Sequence, residues 1–315
     1  MKVFKDSQEA GKRLGKQAIA LGNFDGVHLG HQKLIRNMVS FARGQHIPAV
    51  TFTFHPHPFQ VLFPEKAPKL LISPEKRTEM IGGLGVDALL MVPFNRELAR
   101  LSPEYFVHEI LHRQLQAQAV FVGFNYTFGH RGAGTPELLR DIGRELGFKV
   151  EVLPPIKVGG TTVSSSGVRA ALEAGEVAKA KSYLGYWPIV EGRVVKGDQR
   201  GRQLGFPTAN LAIESGVLIP ARGVYAAKVK LGDRVFDGVV NIGFKPTFAG
   251  DPVLTVEAHI LDFAQVIYGE WVTLSLIQKL RDETKFSSVE ELIKQIQRDI
   301  EDAKALRNNV LYNMG

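Results

Sequence analysis

Apolar positions recur along this chain with two different periods, and the change from one to the other falls near Tyr183 to Pro188. Before it, short apolar runs alternate with longer amphipathic segments. Gln17 to Leu21 predicts a strand, and Leu29 to Ala42 predicts a helix with Leu34, Ile35 and Met38 at helical spacing. Pro48 to Phe54 predicts a second strand, and Ala88 to Val92 and Ala119 to Gly123 predict two more, both buried. Helices are expected between them near Pro74 to Ile81, Pro103 to Leu115 and Pro136 to Leu146. Strand and helix in alternation imply a parallel α/β sheet, which binds its ligands at the carboxyl ends of the strands.

Beyond the change the period is two. Ala227, Val229 and Leu231 alternate with Lys228 and Lys230 up to a Gly232-Asp233 turn. Leu254, Val256, Ala258 and Ile260 alternate with Thr255, Glu257, His259 and Leu261, and a further run spans Trp271 to Ile277. An antiparallel sheet or small barrel follows. From Ser287 to about Leu306 the period is helical again, with Val289, Leu292, Ile293, Ile296 and Ile300 on one face and Ser288 with Glu291 as a capping box.

At 315 residues the chain suits two cores better than one, and its 44% apolar content can fill both. Lys plus Arg number 39 against 32 Asp plus Glu, and the resulting +7 favours anionic partners, phosphorylated small molecules or nucleic acid, unless the surface is merely basic. No cysteine is present, which excludes disulfides, thiolate metal sites and a cysteine nucleophile. The first residues run into charge without an apolar signal core, and no run approaches the roughly 20 apolar residues of a membrane span. A cytoplasmic protein is expected.

The first candidate chemistry follows the first strand. Gly22-Asn23-Phe24-Asp25-Gly26-Val27-His28-Leu29-Gly30-His31 leads from a strand through a turn into a helix start, where free N–H groups and the helix dipole favour phosphate. His28 and His31 are three apart, so both imidazoles can donate to the same group. They make a poor zinc site, having no third ligand nearby. Ser164 and Ser165 precede an expected helix over Val168 to Ala174 that carries Arg169, either as phosphate donors and clamp or as a simple capping cluster. His55 and His57, flanked by prolines, lack the partners of a metal pair, and His46, His108 and His112 read as surface or helix residues.

The second lies beyond Gly192. No GxxxxGK[ST] loop occurs; instead Gly197, Gly201, Arg202 and Gly205 crowd before a rigid Phe206-Pro207 step. Backbone N–H groups there can wrap phosphates, and Thr208 and Asn210 place two neutral oxygens where Mg²⁺ could be held; a flexible basic hairpin is the plain alternative. Alternation turns Glu257 away from Val256 and Ala258, toward a ligand or toward solvent.

These segments carry a resemblance. GNFDGVHLGH is similar to the HxGH signature of nucleotidyltransferases in the extended form of the FMN adenylyltransferase module. Thr53-Phe54-His55-Pro56-His57-Pro58, the run Phe121 to Gly129, and Val163 to Arg169 resemble that module's further motifs, with Asn125 where Asp is common. Gly201 to Leu211, Asn241 to Thr247 (Lys245 where Arg is common), Val256 to Phe263 and Leu280 to Phe286 resemble riboflavin kinase motifs, in family order. The chain thus resembles the bacterial bifunctional riboflavin kinase/FAD synthetases.

The resemblance implies a Rossmann-like nucleotidyltransferase domain with a parallel sheet over residues 1–184, and a small antiparallel β-barrel with a terminal helix over 185–315. It implies ATP, riboflavin, FMN and FAD as substrates or products, with Mg²⁺. Implied roles are His28, His31, Asn125 and Arg169 in adenylyl transfer, and Glu257 as base in phosphorylation. Gly22, Asn23, Phe24, Asp25, Gly30, Ser164 and Ser165 would bind ATP in the first half; Gly197, Gly201, Arg202 and Gly205 would do so in the second. His57, Pro58, Phe128, Arg281 and Phe286 would meet flavin, and Thr208 and Asn210 the Mg²⁺. The expected assembly is a monomer or weak homo-oligomer without nucleic-acid or membrane partners. Two other readings stand beside it: a single working half, and a flavin- or RNA-binding regulator.

Overall fold

The computed structural model describes residues 1–247 and 250–307. Their contacts divide between Met1–Ser165 and Ser166–Gly315. The sequence boundary after residue 184 differs by two helices, Ser165–Glu173 and Val177–Leu184. Within the second unit, Ala221 N donates to Leu172 O at 2.9 Å and Val177 joins the barrel core.

The first unit is built on β1 (Lys2–Phe4), β2 (Gln17–Leu21), β3 (Ala49–His55), β4 (Ala88–Pro93), β5 (Ala117–Gly123) and β6 (Lys149–Leu153). They form one sheet in the order β1-β4-β3-β2-β5-β6, every pair parallel. All of β2 is buried, because both faces of the sheet are covered; this is why it reads as an unbroken apolar run. Ile19 and Leu21 enter a core with Ala10, Phe106 and Leu111, while the small Ala18 and Ala20 admit Leu34, Ile35 and Met38 of the helix Leu29–Gly44.

Helix boundaries follow local chemistry. Ser73, Ser102 and Thr135 each accept a backbone N–H at a helix start with proline next, and Gly147, left-handed, ends Pro136–Leu146. The expected helix near Pro103 is a short α-turn, Pro103–Tyr105, continued by a π-helix, Phe106–Gln114. The pattern did not call for β1, the helix Ser7–Leu14, β6, or the hairpin of β7 (Lys157–Val158) and β8 (Thr161–Thr162). The helix expected from Val168 begins at Ser165, so Gly167 lies inside it.

The second unit closes β9 (Ile189–Val195), β10 (Ala209–Ile213), β11 (Gly223–Leu231), β12 (Arg234–Thr247), β13 (Gly250–Ile260) and β14 (Trp271–Arg281) into an antiparallel barrel, ordered β10-β13-β12-β11-β14-β9. Val229, Val240, Ile242, Val256, Ala258 and Leu274 fill it, and the alternate residues face out. The helix Val289–Arg307 lies on the outside, Ala303 packing on Val224, Ala226 and Val239. Val289, expected on its apolar face, is exposed. Ser288 Oγ accepts from Glu291 N, but the Glu291 carboxylate takes the N–H and hydroxyl of Ser287, so the expected box is displaced by one residue.

Candidate active sites

In the first unit the chain passes from β2 to β3 and β4 on one side, then returns to β5 on the other. The strand order reverses beside β2, and in open parallel sheets such a reversal is where ligands bind, outside the carboxyl ends of the strands. His28 and His31 follow β2, Asn125 follows β5 and His57 follows β3, so residues distant in sequence come to adjacent strand ends.

The loop after β2 is bent sharply. Phe24 (φ 52) and Val27 (φ 38) occupy the left-handed region, which is costly for side-chain-bearing residues and must be held by the surroundings. Phe24 is fully buried and meets the His31 ring edge-on at 5.4 Å. Asp25 is buried as well; its Oδ1 accepts Leu71 N at 2.9 Å, and its carbonyl accepts the Ser165 hydroxyl at 3.0 Å. Asp25 and Phe24 therefore hold the loop, and Ser165 spends its hydroxyl proton within the protein. Gly22 lies against the Phe24 ring, whereas Asn23 is exposed.

His28 caps the helix Leu29–Gly44, its Nδ1 accepting His31 N at 3.3 Å. An accepting Nδ1 leaves the proton of a neutral imidazole on Nε2, free to donate to a ligand. The two imidazoles stack with centroids 3.6 Å apart. Gly30 suits this arrangement, since a Cβ there would lie 3.1 Å from the His28 ring, which would have to shift slightly. Burial pushes the His28 pKa down to about 4, and burial, then His28 and Arg77, hold that of His31 well below its ordinary value. His31 Nδ1 is buried with no hydrogen-bond partner among the described residues. A buried polar atom so placed needs a partner that a ligand or water can supply.

The sign of the pH dependence follows. Above pH 6.5 the imidazole is neutral in folded and unfolded chains, and the shift has no effect. Between 6.5 and about 4 the unfolded chain takes up a proton that the folded site refuses, so stability falls on acidification. His28 alone should remove about 2–3 kcal/mol by pH 4.5, and His28→Asn, which keeps a capping side chain, should abolish that part. Denaturant unfolding of both proteins at pH 7.5 and 4.5 checks this.

Arg77, which the sequence reading missed, lies buried beneath the loop and donates to Asn23 O at 2.8 Å and Phe54 O at 3.4 Å. It sits in an ordinary polar helix stretch, and no local signal marks it. Asn125 is exposed in the turn after β5. His57 caps the short helix Pro58–Leu62, accepting Phe59 N at 3.2 Å, while Phe128 is buried in the core against Phe106. Ser164 precedes the helix that begins at Ser165; Arg169 is four residues into that helix and falls in the second unit.

In the barrel, Val256 and Ala258 point in and Glu257 out, half-buried. Its cross-strand neighbours in register are Asn210 on β10 and Asn241 on β12, so a carboxylate and two amides line one outer face. Asn241 entered the sequence reading only as part of a motif resemblance, and the barrel register is what places it here. Thr208 Oγ1 donates to Glu257 Oε2 at 3.3 Å. Thr208, Asn210 and Glu257 offer only oxygen donors, which suits a hard cation such as Mg²⁺. Among the described residues no group of three His, Asp or Glu forms a metal cage.

The phosphate-loop candidates adjoin this face. A Cβ on Gly197 would collide with the Asn210 amide, so glycine is what lets the loop close over Asn210. Gly201 opens into the short helix Arg200–Gln203 against the Phe206 carbonyl, Arg202 is exposed, and Gly205 is left-handed. Arg281, expected at the flavin, donates from its guanidinium to buried Asp299 at 2.8–3.2 Å and lies over the Phe286 ring, 5.6 Å from its centroid. It fastens β14 to the terminal helix and thereby anchors the segment carrying Phe286. The side chains of Lys245, Pro246 and Thr247 lie outside the described residues.

Comparison with known proteins agrees in both halves. The FAD synthetase family model matches residues 11–167 and the riboflavin kinase model residues 184–307. The bifunctional riboflavin kinase/FMN adenylyltransferase of Bacillus subtilis is 38% identical over 91% of this chain and 92% of its own length. That of Escherichia coli K12 is 38% identical over 89% and 90%. A crystal structure described as a macrolide-efflux protein from Streptococcus pneumoniae is similar at TM-score 0.86 and 31% identity, covering 96% of this chain and 99% of that one. Among the described residues of the present chain, no helix is long and apolar enough to cross a membrane. With both family models matched in succession and full-length relatives above 30% identity, the chain belongs to the bifunctional riboflavin kinase/FMN adenylyltransferase family.

Proposed function

We propose that the chain makes FAD from riboflavin in two ATP-dependent steps, the first at residues 185–315 and the second at residues 1–184. In the first, the riboflavin 5′-hydroxyl attacks the γ-phosphorus of ATP: its proton passes to Glu257, the new O–P bond forms, and the bond to the β-phosphate oxygen breaks to release ADP. Thr208 and Asn210 would hold Mg²⁺, which offsets charge on the phosphate oxygens. Gly197, Gly201, Arg202 and Gly205 would line the phosphates, and Phe286, held by Arg281, would border the flavin.

In the second step an oxygen of the FMN phosphate attacks the α-phosphorus of a second ATP and pyrophosphate leaves. That oxygen is already ionised, so the site needs donors more than a base. His28 Nε2 and His31 would supply them, Arg169 and Ser164 would meet the leaving pyrophosphate, and Asn125, His57, Pro58 and Phe128 would shape the flavin side. The small molecules ATP and riboflavin or FMN are the partners, acting on a cytoplasmic monomer or weak homo-oligomer.

The observation that favours two steps over adenylylation alone is the Thr208–Glu257 hydrogen bond, with Asn210 in register beside it. Incubation with ATP, Mg²⁺ and riboflavin, followed by chromatographic separation of flavins, should show FMN rising first and FAD after it. FAD formed only from supplied FMN would remove the kinase step, and folded protein that forms neither would remove the enzyme reading altogether.

A further inference from the structure

Thr208 is a loop residue, one position before β10 begins, and a loop hydroxyl serves chemistry only when its backbone is held in place. The backbone just before it is held from a distance. His259, on β13, makes a 2.8 Å hydrogen bond through Nδ1 to the carbonyl of Pro207. A carbonyl only accepts, so the bond requires the imidazole proton on Nδ1. Proline has no N–H, and its carbonyl is therefore the single backbone hydrogen-bonding group that Pro207 itself offers. The His259 ring also meets the Phe206 ring edge-on, centroids 5.9 Å apart and planes at 82°.

His259 and Glu257 are two apart on one strand and share its outward face. The Glu257 carboxylate takes the Thr208 hydroxyl, and the His259 imidazole takes the carbonyl of the residue before. On the other side of the loop, Phe206 N donates to Gly201 O at 2.8 Å. The Phe206-Pro207-Thr208 step is thus gripped from both sides, and the side-chain grip comes from the strand that carries the candidate base.

We propose that His259 is a positioning residue of the kinase site: its Nδ1–H to Pro207 O bond sets the 205–208 backbone so that Thr208 and Asn210 present their oxygens to the cation carried by ATP. This rests on the kinase reading given above. His259 touches neither substrate nor cation in this role; it acts through Pro207. Asparagine at this position carries a donor nitrogen at the same number of bonds from Cα as Nδ1, glutamine carries one a bond farther out, and leucine carries none.

The test compares full-length wild type with His259→Leu, His259→Asn and His259→Gln. Amide hydrogen exchange across residues 204–209 is measured without ligand, Mg²⁺–ADP binding by calorimetry, and riboflavin phosphorylation for KM and kcat separately; conversion of supplied FMN to FAD serves as the internal control. The leucine protein should exchange faster in that segment, bind Mg²⁺–ADP roughly tenfold more weakly and raise KM for Mg²⁺–ATP more than it lowers kcat. Asparagine should restore most of each property, glutamine little, and FAD formation from FMN should be unchanged in all. Wild-type exchange and binding in the leucine protein, or equal loss in the asparagine and leucine proteins, overturns the proposal. Should the leucine protein fail to fold, the asparagine–glutamine pair decides: a difference between them supports the clamp, and equal behaviour refutes it. Wild type that binds Mg²⁺–ADP with a protected loop yet forms no FMN would refute the kinase reading and leave the clamp standing.

Discussion

Glu257→Ala should stop FMN formation from riboflavin while supplied FMN is still converted to FAD. A primary alcohol must lose its proton as it attacks, and Glu257 is the carboxylate beside the oxygen donors Thr208 and Asn210, facing away from the barrel core. Removing a general base lowers rate by about 10²–10⁴-fold, and here the Thr208 hydroxyl also loses its acceptor. The fold should tolerate the change, because Val256 and Ala258, not Glu257, fill the barrel. Flavin chromatography from either starting material, with a thermal melt of each protein, checks the result. Equal loss of both reactions in a folded variant would mean that the two chemistries do not have separate sites.

The reverse lesion is expected at His28. His28→Asn keeps a side chain able to cap the helix but removes the Nε2 donor, and the loss of one preorganised donor to a transferring group lowers rate by about 10²–10³-fold. FAD formation from FMN should fall by that factor while FMN formation from riboflavin continues, so that FMN accumulates. Combining the change with replacement of His31 should deepen the loss by less than the product of the two, because the rings stack and would serve one phosphate site. Rates from stopped assays on riboflavin and on FMN measure both arms. FMN accumulation without FAD, together with the Glu257 result, would assign each step to its own unit.

Much of the fold was legible in sequence because local chemistry sets element boundaries. Pro136–Leu146 follows from a threonine cap, a proline at the first turn and a glycine at the end; β11, β13 and β14 follow from period-two alternation that burial enforces, whereas β9, β10 and β12 were not predicted. What escaped was short or depended on packing. β6 is five residues with only Leu153 buried, too weak a pattern to stand alone, and it exists because β5 offers an edge. The helix carrying Arg169 starts three residues early, with the Ser165 hydroxyl tied to Asp25 O, a contact across 140 residues of sequence.

The sites divide in the same way. By itself the sequence determined which residue types stand at a strand end, a helix start or an outward strand position, since those depend on spacing alone: the His28–His31 pair, Thr208 with Asn210, and outward Glu257. It could not determine what those residues lean on. Phe24 and Asp25, expected at the ATP, are also buried supports of their loop, and Arg281, expected at the flavin, also anchors β14 to Asp299. Arg77 under the loop, Asn241 beside Glu257 and His259 behind Thr208 come from remote stretches. Reactive groups are spaced by the local backbone, whereas the partners that hold them are brought near only by sheet order and barrel closure.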